Sequence, residues 1–190
     1  MSKAYIEDKH FQREDFSEKG LKMGEYENCQ FSNCRFLNSN LSGISFSACT
    51  FSDCDLSMCK LNGTAFREVT FKNCKMLGLR FDDCNTFALA LEFDTCVLNF
   101  SSFYKLNLRD TVFKDCKLEE VEWIGTDLSQ AVFRQCDFRN AIFENTILEN
   151  ADLRTAFNFS IDPETNRISK AKFSLTNIAG LLDKHKLVIE

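Results

Sequence analysis

The sequence predicts a solenoid, a chain wound into short coils that each contact only their neighbours. Three observations carry that reading. A bulky apolar residue recurs at every fifth position: Phe11, Phe16, Leu21, Tyr26, Phe31, Phe36, Leu41, Phe46, Phe51, Leu56, Leu61, Phe66, Phe71, Met76 and Phe81. After a shift of two residues the beat resumes at Phe93 and holds through Leu98, Phe103, Leu108, Phe113, Leu118, Trp123, Leu128, Phe133, Phe138, Phe143, Leu148 and Leu153. A second, smaller column stands two residues before each centre, and all ten cysteines of the chain fall in it. A period of five belongs neither to an α-helix, at ~3.6, nor to a strand, at ~2.

In chain order, residues 1–10 read as a polar N-terminal leader, 11–156 as the solenoid and 157–190 as a C-terminal cap. Within the solenoid, the phase break covers 82–92, where two extra residues read as a bulge or kink in a coil rather than a projecting loop. Both columns point inward, and the three remaining positions of each repeat, mostly Ser, Asp, Asn, Lys, Arg and Glu, face water. In the cap, Pro163 and Asn166 fit a turn leaving the last coil. Leu175, Ile178, Leu181 and Leu182 then form a helical stripe over 174–186, and Leu187, Val188 and Ile189 read as a short final strand.

The position of the cysteines chooses among the readings of a cysteine-rich chain. A disulfide framework belongs to a secreted context, and the polar start carries no signal sequence. Spacings of five match no zinc finger, and the two histidines, His10 and His185, lie near opposite ends. Free cysteine packs as a small hydrophobe, so the column reads as core and the thiols as reduced, which implies a cytoplasmic protein. No metal and no cofactor is expected.

The net charge is −5 and uneven. Residues 1–91 hold twelve acids and eleven bases, 92–156 twelve and seven, and 157–190 four and five. Nucleic-acid binding needs the opposite balance, and no apolar run approaches membrane length. No Gly-rich phosphate loop, HExxH or nucleophile–His pair occurs, so the chain does not read as an enzyme.

Ala151-Asp152-Leu153-Arg154-Thr155, Cys136-Asp137-Phe138-Arg139-Asn140 and Thr126-Asp127-Leu128-Ser129-Gln130 share one pattern: a small residue, Asp, then Leu or Phe, then two polar residues. Over roughly residues 11–156 the chain resembles the pentapeptide-repeat family. The resemblance implies an all-β fold, a right-handed quadrilateral parallel β-helix of about seven coils with a C-terminal capping α-helix. Two local matches are more pointed. Phe11-Gln12-Arg13-Glu14-Asp15-Phe16-Ser17 is similar to the opening of the quinolone-resistance branch, and Ile161-Asp162-Pro163-Glu164-Thr165-Asn166-Arg167-Ile168 to the microcin self-immunity branch. These imply a non-enzymatic, DNA-mimic-like protein that binds type II topoisomerase (DNA gyrase or topoisomerase IV) and protects it from quinolone or toxin. The alternative is a general protein–protein interaction module with another partner. Many quinolone-resistance relatives carry two projecting loops, whereas this sequence has a single phase break.

Seven coils at ~4.8 Å make a rod of roughly 35 Å, a length over which duplex DNA carries about twenty charges. Mimicry therefore needs a local acidic face. Mapping residues 96–155 onto four faces groups Asp110, Asp127 and Glu149, opposed only by Arg109; Glu119, Glu120 and Glu122 form the second candidate group. One helix cannot bury the cap's apolar surface by itself. The resemblance implies a homodimer through Leu175, Ile178, Leu181, Leu182, Leu187, Val188 and Ile189, with a monomeric cap as the alternative.

Overall fold

The computed structural model describes residues 4–188. Its strands are short: β1 (Ala4–Glu7), β2 (His10–Gln12), β3 (Gly24–Glu27), β4 (Gln30–Ser32), β5 (Ser45–Ser47), β6 (Thr50–Ser52), β7 (Ala65–Arg67), β8 (Val69–Lys72), β9 (Leu91–Asp94), β10 (Val112–Lys114) and β11 (Val132–Arg134). All their pairings are parallel. β2, β4, β6, β8, β9, β10 and β11 build a seven-stranded sheet, the first face; β1, β3, β5 and β7 build a four-stranded sheet, the fourth face. Columns of single bridges make the other two faces. Asp15, Arg35, Asp55, Lys75, Val97, Lys117, Asp137 and Phe157 mark the second; Arg80, Ser102, Glu122 and Ile142 mark the third.

Each five-residue repeat makes one side of the coil. Its centre and the residue two before it turn inward, the residue between them pairs with the next coil, and the last residue turns the corner. That corner residue sits near φ +55, as at Asn33 (φ 55), Asn140 (φ 56) and Gly63 (φ 67). Asn, Asp and Gly tolerate this left-handed region best, which explains their frequency there.

The core is one continuous cluster along the axis. On the first face, Phe31 stacks on Phe51 at 4.5 Å, Phe93 on Phe113 at 5.0 Å and Phe113 on Phe133 at 5.0 Å. On the third face, Phe81, Phe103 and Trp123 stack at 4.6 Å. Across faces the rings meet edge to face, as Phe113 meets Trp123 at 5.6 Å and 89°. All ten cysteines are free and buried. The thiols of Cys54, Cys74, Cys96 and Cys136 donate to Phe31 O, Phe51 O, Phe71 O and Phe113 O of the preceding coil. Thr64, Thr126 and Thr146 make the same bond with their hydroxyls, each at 2.8 Å. Where the small column carries Cys, Ser or Thr rather than Ile, Val, Leu or Ala, it therefore also provides donors between coils.

Several expectations change. The first coil begins inside the segment read as a leader: β1 pairs with β3, and Ile6, one beat before Phe11, packs on the core. Pairing also continues past 156, through Ile147↔Arg167 and Asp152↔Lys172. A single helical turn, α1 (Phe16–Lys19), forms one side of the first coil, capped by the Asp15 carboxylate on Ser17 N at 2.9 Å.

The capping α-helix expected over 174–186 does not form. Two 3-10 turns, Ile178–Leu181 and Asp183–His185, take its place. The Asn177 amide is spent on the coil end, donating to Leu153 O (2.8 Å) and Ala156 O (2.9 Å), while its Oδ1 accepts from Ser174 N. Gly180 lies flat on Phe159, where an added Cβ would fall 2.3 Å from the carbonyl oxygen. Leu187 and Val188 are exposed and form no strand, and Ile189 lies outside the described residues.

At the phase break the fourth face is interrupted. Asn85 bridges Ala65, and bridging resumes at Asn107↔Asp127; among the described residues no bridge joins Asn85 to Asn107. Thr86, Phe87 and Ala88 bulge outward, and Phe87 is 74% exposed. Leu89 folds back onto the core in place of the missing centre.

Candidate protein-binding faces

The first-choice acidic face is less acidic than expected. Asp110, Asp127 and Glu149 do lie along the fourth face, but coil pairing adds Arg167 to the same column, and Lys170 follows at the corner after Ser169. Glu149 accepts from the Arg167 guanidinium at 2.6 Å, and Asp127 pairs with Arg109 at 3.4 Å. Three acids thus face three bases, Arg109, Arg167 and Lys170. The expectation that only Arg109 opposed them fails because Arg167 is distant in sequence and adjacent in space.

Two of these acids also have structural roles. The Asp127 carboxylate accepts from Ser129 N (2.9 Å) and the Ser129 hydroxyl (2.6 Å) and tightens its turn. Partial burial works against its ionisation, but the Ser129 bonds and Arg109 outweigh this and hold the carboxyl below the usual range. Asp110 occupies a left-handed corner (φ 60).

Glu119, Glu120 and Glu122 make the clearer acidic group. They surround the edge between the second and third faces, and among the described residues none forms an ion pair. Glu119 accepts from the Asn99 amide at 3.1 Å, Glu120 turns the corner (φ 55), and Glu122 points out from the third face between Ser102 and Ile142.

A further acidic patch lies at the opposite end of the fourth face and was not among the expected sites. Glu25 and Glu27 line a groove of about 330 Å³ with Tyr5, Ser45, Ser47 and Arg67. The Tyr5 hydroxyl donates to the Glu27 carboxylate at 2.6 Å, and that bond raises the phenol to about 12. Extending the beat back to Ile6 would have placed Tyr5 on the same column as Glu25.

The expected dimer residues separate into two kinds. Leu175 (93% exposed), Val188 (88%), Leu187, Ile178 and Leu182 face solvent, whereas Leu181 packs on the core. Lys184 ties the cap to the last coil through Asp162 and Glu164, each at 2.7 Å. Asn166 closes the expected turn, its N–H donating to Asp162 O at 3.2 Å, and its side chain is buried beneath Thr146, accepting from the Thr146 N–H at 2.9 Å and donating to Phe143 O at 3.1 Å. Among the described residues no helix is long and apolar enough to cross a membrane, and no cluster of His, Cys, Asp or Glu could hold a metal ion.

Four-sided parallel coils with inward five-residue centres and charged outward columns define a β-solenoid. The profile of the pentapeptide repeat region matches residues 25–92 and 89–157, and the chain belongs to the pentapeptide-repeat family. Among solved structures it is similar to a trypsin-treated form of QnrB1, a plasmid-mediated fluoroquinolone resistance protein. The two share 17% identity over 98% of this chain and 92% of that one, with a TM-score of 0.73. Full-length QnrB1 aligns at 17% identity over 97% and 100%, with a TM-score of 0.59. HetL, a pentapeptide repeat protein involved in heterocyst differentiation regulation from the cyanobacterium Nostoc, aligns at 15% identity over 90% and 87%, with a TM-score of 0.41. Identities this low establish the fold alone. No curated protein sequence matches the chain.

Proposed function

We propose that this chain is a non-enzymatic, DNA-mimic-like protein that binds a type II topoisomerase, DNA gyrase or topoisomerase IV, and protects it from a quinolone or peptide toxin. The observation that carries this reading is the end-to-end likeness of its solenoid to that of QnrB1, over 98% of this chain. The unpaired Glu119, Glu120 and Glu122 are the acidic group offered to the enzyme's DNA-binding groove. In this reading the protein acts in the cytoplasm and doubles its length as a homodimer through the exposed apolar side chains of the cap.

The test is quinolone-inhibited gyrase supercoiling with the protein titrated in. Supercoiling is expected to recover, and a variant carrying Glu119→Lys, Glu120→Lys and Glu122→Lys is expected to lose the rescue while keeping its thermal midpoint. No rescue by the natural sequence rejects the topoisomerase reading. Rescue by the triple variant rejects the choice of face.

A second reading is a general interaction module with a different partner. The charge balance of the fourth face favours it, since three acids against three bases there do not imitate a polyanion.

A further inference from the structure

The edge between the second and third faces carries a line of apolar side chains that the fold does not require. Every corner needs a left-handed residue, and Asn38, Gly78 and Asn140 on this edge meet that need at low strain. Met58 (φ 58) and Phe100 (φ 63) do not, and among the described left-handed residues they are the only large apolar ones. Both stand on this edge, and each is 57% exposed. Leu37 and Leu77, half-buried, sit one residue before the corners on the same edge.

Backbone hydrogen bonds place these residues on successive rungs: Asn38 N to Ser57 O, Met58 N to Leu77 O, Gly78 N to Asn99 O and Phe100 N to Glu119 O. Gly78 leaves room for Met58, whose sulfur would lie 2.7 Å from a Cβ added there. Met58 and Phe100 combine left-handed strain with exposed apolar surface, and local strain of this kind persists where function uses it. The next rung changes character to Glu119 and Glu120, with Glu122 beside them.

We propose that this edge is a docking surface for an amphipathic helix of a partner protein, with apolar side chains along one stripe and Lys or Arg clustered at one end. The apolar stripe lies on Leu37, Met58, Leu77 and Phe100; the basic end meets Glu119, Glu120 and Glu122. Rungs recur at ~4.8 Å and helical turns at ~5.4 Å, so over three intervals the two drift apart by only about 2 Å. The charges set the direction. Lys60 and Lys75 stand exposed beside the apolar end, while the three unpaired glutamates mark the other; Arg139, one rung on, pairs with Asp137, and Arg80, which feels the charge of Glu122, pairs with Asp82. This inference does not depend on the topoisomerase reading, and its test contains no topoisomerase.

The probe is a fluorescent synthetic helix with a leucine stripe, glutamine elsewhere, and lysines confined to one end; a control peptide replaces the lysines with glutamate. Anisotropy is expected to show saturable binding of the lysine peptide and about tenfold weaker binding of the control. Met58→Asn with Phe100→Asn, and separately Glu119→Gln with Glu120→Gln and Glu122→Gln, are each expected to weaken it about tenfold. The asparagine variant should melt no lower than the natural sequence, because it relieves strain and exposure. Equal binding by the variants, equal binding of both peptides, or a lowered melting point in the asparagine variant overturns the proposal. So does self-association of the natural protein that the asparagine variant abolishes, since a second copy would then cover the edge.

Discussion

At the scale of the residue, the two inward positions divide the work. The centres fill the axis with rings, while the small column provides donors to carbonyls of the preceding coil. Cysteine is suited to this because it is small, apolar and still a weak donor. Burial pushes the Cys49 thiol up to about 11 and those of Cys59 and Cys84 to about 12. Two outcomes are expected. Native protein at pH 8 should resist iodoacetamide at all ten cysteines, and denatured protein should react at all ten; rapid native labelling of several would contradict the packing described. Because these thiols hold their protons more tightly when folded, their contribution is complete below the ordinary thiol value of about 9. It is lost as pH rises toward 11–12. Melting temperature should therefore fall progressively above about pH 9, and a flat profile to pH 11 would refute this.

At the scale of the element, the bulge and the cap are the two departures from the repeat. Leu89, not the more conspicuous Phe87, replaces the missing centre. Leu89→Ala should cost about 2 kcal/mol in denaturant unfolding, and Phe87→Ser should change stability by less than about 0.5 kcal/mol. The reverse order would mean that the bulge packs differently. In the cap, Asn177 satisfies two carbonyls at the open end of the last coil. Asn177→Ala should destabilise by about 2 kcal/mol through those orphaned acceptors. Gly180→Ala should also destabilise, because the added methyl meets the Phe159 carbonyl and ring. If neither lowers the melting point, the cap does not close the solenoid end. Here the sequence stripe misled: Leu175, Ile178, Leu181 and Leu182 have helical spacing, yet Asn177 and Gly180 between them make tertiary contacts that an α-helix would break.

At the scale of the whole molecule, the exposed Leu175 and Val188 bear on the oligomeric state. Sedimentation equilibrium should give twice the chain mass for the natural sequence and a single chain mass for Leu175→Asp with Val188→Asp. A monomer in both would leave the cap as a simple end piece. Solenoid stability is a sum of coil and neighbour terms, so hydrogen exchange should be slowest in central coils and faster toward both ends.

The solenoid, its two inward columns, the buried cysteines and the place of the phase break are all legible in the chain. Each of these follows from spacing along the chain, and a strict period of five leaves one way to bury its apolar residues. Which charges are free emerges only when the coils stack. Residues eighteen or twenty apart become neighbours across a rung, so Arg167 neutralises Glu149, and Met58, Phe100 and Glu120 fall on one edge. The tertiary structure also turned a helical stripe into a cap of 3-10 turns, because the unpaired carbonyls at the coil end drew Asn177 more strongly than helical propensity could hold it.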